Sequence, residues 1–257
     1  MTCQKILTEV GYLEDIRLLH FKNVINYYNR RFMSAQKISE DLLLALKANK
    51  SYSLLVQNMA AIDRNTLDKE LNDDETKKAF WINAYNSFFL ILRKHNNVIK
   101  PAIYIDKLID IAGQKMSLDD IEHGILRKYR IKKSLGYLPN WFAPSWIKKW
   151  AVDEIDFRIH FALNCGAVSC PPIAFYNSDR IDYQLETATY SFLESEVQII
   201  DEEKTAQVCR IFLWYHGDFG GNSGTRKIIK KYLERDISTY TISYTPYNFK
   251  EDLDNFV

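Results

Sequence analysis

One short stretch of the chain, residues 158–172, holds Arg158, His160, Asn164, Cys165 and Cys170 and closes on Pro171 and Pro172. Thiols beside an imidazole and a carboxamide suit nucleophilic acyl chemistry. A thiolate attacks, a histidine handles the proton, and a carboxylate or amide orients the histidine. Cys170 precedes proline, which is favoured at a helix start, so it has the character of an N-cap residue, and a helix N-terminus lowers a thiol's pKa. Cys165 falls on an apolar side, where a free cysteine is usually inert filler, unless Gly166 breaks the chain there and exposes it. A second group, Glu122 and His123 with Arg127 close by, offers a carboxylate, a base and a cation. A third, Asn83 and Asn86, places carboxamides one helical turn apart.

Each group also has a plainer explanation. Buried carboxamides need partners, so Asn83 and Asn86 either tie down loops or line a site. Glu122 falls inside an apolar stripe and calls for a cation such as Arg127, or else has the raised pKa of an acid/base group. The thiols at 165 and 170 have the spacing of zinc ligands but no second close pair, so no metal is expected. Only four cysteines occur, at 3, 165, 170 and 209, too few for a disulfide scaffold. Free thiols are therefore the expectation, since 165 and 170 can pair only if a turn brings their α-carbons within about 7 Å.

The elements that must position these residues follow from hydrophobic period. The run 72–93 begins with Asn72, Asp73 and Asp74 and is apolar almost all round from Ala79 to Leu92, which predicts a central helix. Ser117 to Asp120 reads as a capping box opening a helix through Tyr129. Residues 155–163 alternate with period two, Ile155, Phe157, Ile159, Phe161 and Leu163 opposing Asp156, Arg158, His160 and Ala162, which predicts a strand. The runs 197–200 and 205–215 predict a hairpin, the second being readable also as a buried helix. Ser223 is the expected cap of a basic helix to Glu234, and 239–244 a last strand. Residues 13–70 read as amphipathic helices, so residues 1–70 form a helical wrapper around a core at 71–257. The whole is expected to be one α+β domain, rich in helix with a small antiparallel sheet.

With 257 residues, 47% of them apolar, the chain can bury a real core. Its 34 basic and 33 acidic residues nearly cancel, so no global field draws it to nucleic acid or an acidic membrane surface. No signal-peptide pattern or long apolar span is evident, and the expectation is a soluble cytoplasmic protein. Asp218-Phe-Gly220 has the letters of a kinase magnesium motif but none of the accompanying loops.

Four ordered blocks resemble a known family. Ala79-Phe-Trp-Ile-Asn-Ala-Tyr-Asn86, Ser117 to Arg127, Arg158 to Pro172, and Trp214-Tyr-His-Gly-Asp-Phe-Gly220 resemble the signature of the domain of unknown function 547 family, over about residues 50–257. Tyr244-Thr-Pro-Tyr-Asn-Phe249 is similar to its closing block, with Asn248 and Phe249 where Asp and Trp are expected. The resemblance implies no established activity. By residue type its blocks look like those of papain-like or transglutaminase-like cysteine enzymes, which is analogy alone.

The functional expectation is a cysteine-dependent hydrolase or acyl transferase. Cys170 or Cys165 is the nucleophile, His123 or His160 the base, and Glu122 or Asn164 the orienting group. Asn83, Asn86, Arg127 and Arg158 are the expected substrate contacts. The partner is then a small molecule or peptide, with no cofactor. The rival expectation is a non-catalytic scaffold in which the same polar residues brace a ligand or partner groove.

Overall fold

The computed structural model describes residues 33–257. The first part of the expected wrapper, residues 1–32, lies outside the described residues; its remainder forms three helices, α1 (Ala35–Lys47), α2 (Ser53–Ala61) and α3 (Arg64–Glu70). Of these, α1 packs on α4 (Asp74–Leu90), the expected central helix, and α2 and α3 pack on α1. An Asp73 carboxylate accepts the Thr76 N–H at 2.8 Å and so supplies one of the amide partners that a helix start lacks. From Lys77 to Leu90 every residue of α4 is buried, including Phe80, Trp81, Tyr85, Phe88 and Phe89. Each such side chain stabilises the fold by about 1.5–3 kcal/mol relative to exposure.

After α4 come a π-helical turn (Ile91–His95), a short α5 (Ala102–Ile105), and an antiparallel hairpin of β1 (Ile109–Ile111) and β2 (Gln114–Met116). The capping box at Ser117 and Asp120 forms in both directions, at 2.9 and 3.2 Å. The helix that follows, however, is π-helical over Asp120–Leu126, with Arg127 N–H donating to the Glu122 carbonyl. The wider turn sets Glu122, His123 and Arg127 all to the interior. Next are α6 (Ser145–Trp150), a 3₁₀ turn (Phe157–Phe161), α7 (Ile181–Glu196), β3 (Gln198–Ile200), β4 (Thr205–Val208), α8 (Ile211–Trp214), α9 (Gly221–Leu233) and β5 (Thr241–Tyr244).

Helices and two small sheets give the expected α+β domain, and the structure corrects four details. The period-two stretch is the 3₁₀ turn Phe157–Phe161, not a strand. It runs between two cores: Ile159 and Ala162 belong to the cluster around α4, and Phe161 to the cluster under α9. A segment buried on several sides mimics alternation over so few residues. The second sheet is mixed, β3 antiparallel to β4 and β4 parallel to β5. The run from Thr205 divides, its first part strand and its later part the helix α8. Finally, α9 begins with Gly220 as its N-cap residue, so Ser223 lies inside the helix.

Two carboxamides of α4 hold the far half of the molecule. Asn83 grips Tyr176 twice, donating to its carbonyl at 2.7 Å and accepting its N–H at 3.0 Å. Asn86 donates to the Ala162 carbonyl at 2.9 Å and accepts the Asn164 N–H at 3.0 Å. Both are fully buried, so the loop-tying explanation describes them. Replacing Asn86 by Ala orphans both backbone groups, and urea unfolding is expected to show a loss of about 2–4 kcal/mol. A change below about 0.5 kcal/mol would remove this brace from the account.

Candidate functional site

The cysteine loop is built by side chains that curl it. Asn164 accepts the Gly166 N–H at 2.6 Å through Oδ1 and donates to the Pro171 carbonyl at 2.7 Å through Nδ2, so one carboxamide spans the loop. Gly166 has φ +73°, and a Cβ there would meet Phe89 and Leu253 at 2.8 Å, which makes glycine necessary twice over. The turn brings Cys165 and Cys170 to a Cα separation of 6.2 Å, and they form a disulfide. This overturns the free-thiol expectation, because the turn meets the distance that pairing requires. Nor does Cys170 cap a helix: Pro171 and Pro172 lead into irregular chain.

The C-terminal segment straps this loop in place. Val168 N–H donates to the Lys250 carbonyl and Asp252 N–H to the Gly166 carbonyl, both at 2.9 Å. The strap also carries Tyr247, whose hydroxyl lies 3.1 Å from Cys170 Sγ and 3.4 Å from Cys165 Sγ. Cys165 is partly exposed, whereas Cys170 is buried.

Cys165, Glu122 and His123 line one cleft of about 380 Å³, walled by Tyr85, Tyr104, Trp214, Tyr215, Tyr247 and Phe249 and rimmed by Lys100 and Lys132. Neither Cys170 nor His160 lines it. Behind its floor runs a buried polar network. Arg127 grips Asp218 with two bonds, Nε to Oδ2 at 2.6 Å and Nη2 to Oδ1 at 3.2 Å. His160 Nε2 donates to the same Oδ2 at 2.9 Å, and its ring stacks on Tyr215 with centroids 3.8 Å apart. Arg127 also lies over the Tyr215 ring, at 4.6 Å. Its Nη1 donates to His123 Nδ1 at 2.7 Å.

That last bond fixes a tautomer. A guanidinium only donates, so His123 must present its Nδ1 lone pair to Arg127, and the neutral ring carries its proton on Nε2. Nε2 faces Asp119 Oδ1 at 3.6 Å, and Asp119 is itself held by Lys132 at 2.8 Å. Glu122 accepts hydroxyls on both oxygens, from Tyr215 at 2.5 Å and Tyr85 at 3.2 Å. Burial pushes its carboxyl up, but His123, the Tyr215 hydroxyl and Arg127 together hold it below the usual range. Burial, with Arg127, holds the His123 imidazole below its usual value, and burial does the same to His160 against the pull of Asp218. Burial pushes Tyr85 and Tyr215 far up, with the Glu122 charge adding to it, so both remain donors.

The other expected contacts lie elsewhere. Arg158 makes a two-bond grip on Asp156, at 2.9 and 2.7 Å, and reaches Glu186 of α7 at 3.0 Å. Asn83, Asn86, Asn164 and Arg158 do not line the cleft. Among the described residues, no group of three or more His, Cys, Asp or Glu side chains is placed to hold a metal ion, and no helix is long and apolar enough to cross a membrane.

Residues 69–193 match the family model described as protein of unknown function, DUF547. This segment belongs to the DUF547 family. It is narrower than the resemblance implied, and the DUF547 match takes in the first three signature blocks only. No curated protein and no solved structure matches the chain. Asp218, Tyr215 and Tyr247, which lie beyond the DUF547 segment, complete its network and its cysteine loop, and sequence reasoning assigned none of them a role. For Asp218 and Tyr215 the signal was present in the block Trp214 to Gly220; for Tyr247 it was the closing block.

The two histidines give a pH signature. Each folded-state pKa is depressed, so below about pH 6.5 the unfolded chain binds protons that the folded one does not. The stability they contribute is complete above that value and is lost as pH falls through it toward the lower folded values. The thermal midpoint is expected to drop between about pH 7.5 and pH 5, and by less in His160→Gln. Equal drops in the two proteins would show that His160 is not a source.

Proposed function

We propose that this protein is a cysteine-dependent acyl-transfer enzyme, a hydrolase or acyl transferase acting on an ester or amide bond, with Cys165 as nucleophile. The observation that carries this reading is the shared cleft, which presents Cys165, His123 and Glu122 to one space among aromatic walls. Cys170 is buried and off that cleft, so of the two thiols Cys165 is the better placed. The thiol becomes available once its bond to Cys170 is reduced.

In this scheme the Cys165 thiolate, favoured by the lysines at the rim, attacks the carbonyl carbon. His123 serves as a donor through Nε2–H to the developing oxyanion, because its Nδ1 is engaged by Arg127. Arg127, set by Asp218 and His160, is a positioning residue that keeps this tautomer. The tetrahedral intermediate collapses to a thioester as the alcohol or amine of the substrate leaves and takes up a proton, and the aromatic side chains hold the acyl group. For a hydrolase a water then attacks that thioester, and for a transferase an acceptor amine or alcohol does; the acyl–sulfur bond breaks, Cys165 leaves as a thiolate, and the attacking group's proton passes to solvent.

A binding-domain reading draws on a different observation: Asn83, Asn86 and Asn164 are wholly used in bracing backbone. The two readings separate in one assay. Protein reduced with a phosphine is mixed with p-nitrophenyl acetate, and acylation is followed by nitrophenolate release and intact mass. The acyl adduct is expected on Cys165, absent in Cys165→Ala, kept in Cys170→Ala, and formed about a hundredfold more slowly in His123→Leu. No adduct on folded, reduced protein would leave a binding cleft and end the acyl-transfer reading.

A further inference from the structure

The acyl-transfer reading uses Cys165 as a thiol, but the structure holds it as half of a disulfide with donors arranged around one sulfur in particular. Cys170 Sγ receives the Cys165 N–H at 3.0 Å and has the Tyr247 hydroxyl at 3.1 Å. For Cys165 Sγ the corresponding contact is the same hydroxyl at 3.4 Å. Exposure runs the opposite way. Cys165 is partly exposed and lines both the aromatic cleft and a second cleft of about 250 Å³ bounded by Phe89, Arg93 and Lys100, while Cys170, 6% exposed, borders a separate pocket of about 500 Å³ walled by Tyr176 and Phe192. An accessible sulfur bonded to a buried one that is supplied with hydrogen-bond donors has the asymmetry of an exchanging pair: one sulfur is attacked and the other leaves as a stabilised thiolate.

We propose that Cys165 and Cys170 form a dithiol–disulfide couple that exchanges with a dithiol entering the aromatic cleft. A thiolate of the incoming dithiol bonds to Cys165 Sγ as the Cys165–Cys170 bond breaks, and Cys170 departs as a thiolate held by the Cys165 N–H and the Tyr247 hydroxyl. The second thiolate of the same dithiol attacks its own sulfur in the mixed disulfide and releases Cys165 as a thiolate. The dithiol leaves as a disulfide, having given two electrons to the protein pair, and the two cysteine thiolates take up the two protons it lost. Reversal with an oxidised partner restores the bond. Tyr247 is a positioning residue here: the strap that carries it sets its hydroxyl between the sulfurs, so leaving-group stabilisation depends on the C-terminal segment being docked. One consequence rests on the acyl-transfer reading, namely that only the reduced protein carries the nucleophile.

The full chain provides the test. As purified without reductant, Cys165 and Cys170 should resist iodoacetamide, and after dithiothreitol both should be alkylated, read by peptide mass mapping so that Cys3 and Cys209 are counted apart. In single variants treated with an aromatic disulfide probe, Cys165 in Cys170→Ser should form the mixed disulfide about tenfold faster or more than Cys170 in Cys165→Ser. Tyr247→Phe keeps the pair intact and should slow its reduction by dithiothreitol about fivefold. Equal trapping rates, faster trapping of Cys170, or alkylation of both thiols without reductant would overturn the couple. Loss of ester turnover in reduced protein with these asymmetries intact would sink acyl transfer and leave the couple standing; turnover indifferent to reductant would sink the gating.

Discussion

The ion pair between Arg127 and Asp218 sits with both side chains almost wholly removed from water. Stripping two charges of water costs several kcal/mol each, and their attraction offsets this only if the geometry is close and the remaining hydrogen-bonding capacity is used. Here it is used. Asp218 Oδ2 takes Arg127 Nε and His160 Nε2, Oδ1 takes a second guanidinium nitrogen, and the remaining arm of the guanidinium reaches His123. The pair therefore joins the π-helical segment, the 3₁₀ turn before the cysteine loop, and the segment after α8. Gly136, with φ +89°, lies so close to Asp218 that a Cβ there would collide with the carboxylate, so the neighbouring chain is shaped around this charge as well.

The cleft depends on that pair through direction rather than strength. A histidine facing solvent could exchange tautomers, but one whose Nδ1 faces a guanidinium cannot, and Nε2–H is thereby turned to the side of Asp119, which lines the cleft with it. Glu122 is held below the usual carboxylate range because His123, the Tyr215 hydroxyl and Arg127 together outweigh its burial. The cysteine loop is held differently, by neutral groups: the carboxamides of Asn86 and Asn164 from within and the C-terminal strap from outside. Charge sets the imidazole, and backbone hydrogen bonds set the sulfurs.

Much of the helical frame could be read from the chain. The all-round apolar run of α4, the capping box at Ser117 and the closing strand at Thr241 all stand where local rules put them, because caps and hydrophobic period act over a few residues. The stretch around His160 was misread for the converse reason. Two cores claim alternate side chains there, and burial from several directions has no period of its own. The free-thiol expectation failed because it rested on cysteine count, whereas pairing depends on a turn set by Asn164 and Gly166.

The sequence by itself determined an α+β chain built on a buried helix, the DUF547 signature, and the residue types of a thiol site, since these follow from composition and local pattern. It could not determine that Cys165 rather than Cys170 shares a cleft with Glu122 and His123, or that Asn83 and Asn86 brace backbone. Nor could it show that Asp218 and Tyr247, distant along the chain, fix a tautomer and a pair of sulfurs. Those are long-range juxtapositions. They arise only when the folded chain must satisfy buried charges and amides at once, and the tertiary structure alone decided which partners met that demand.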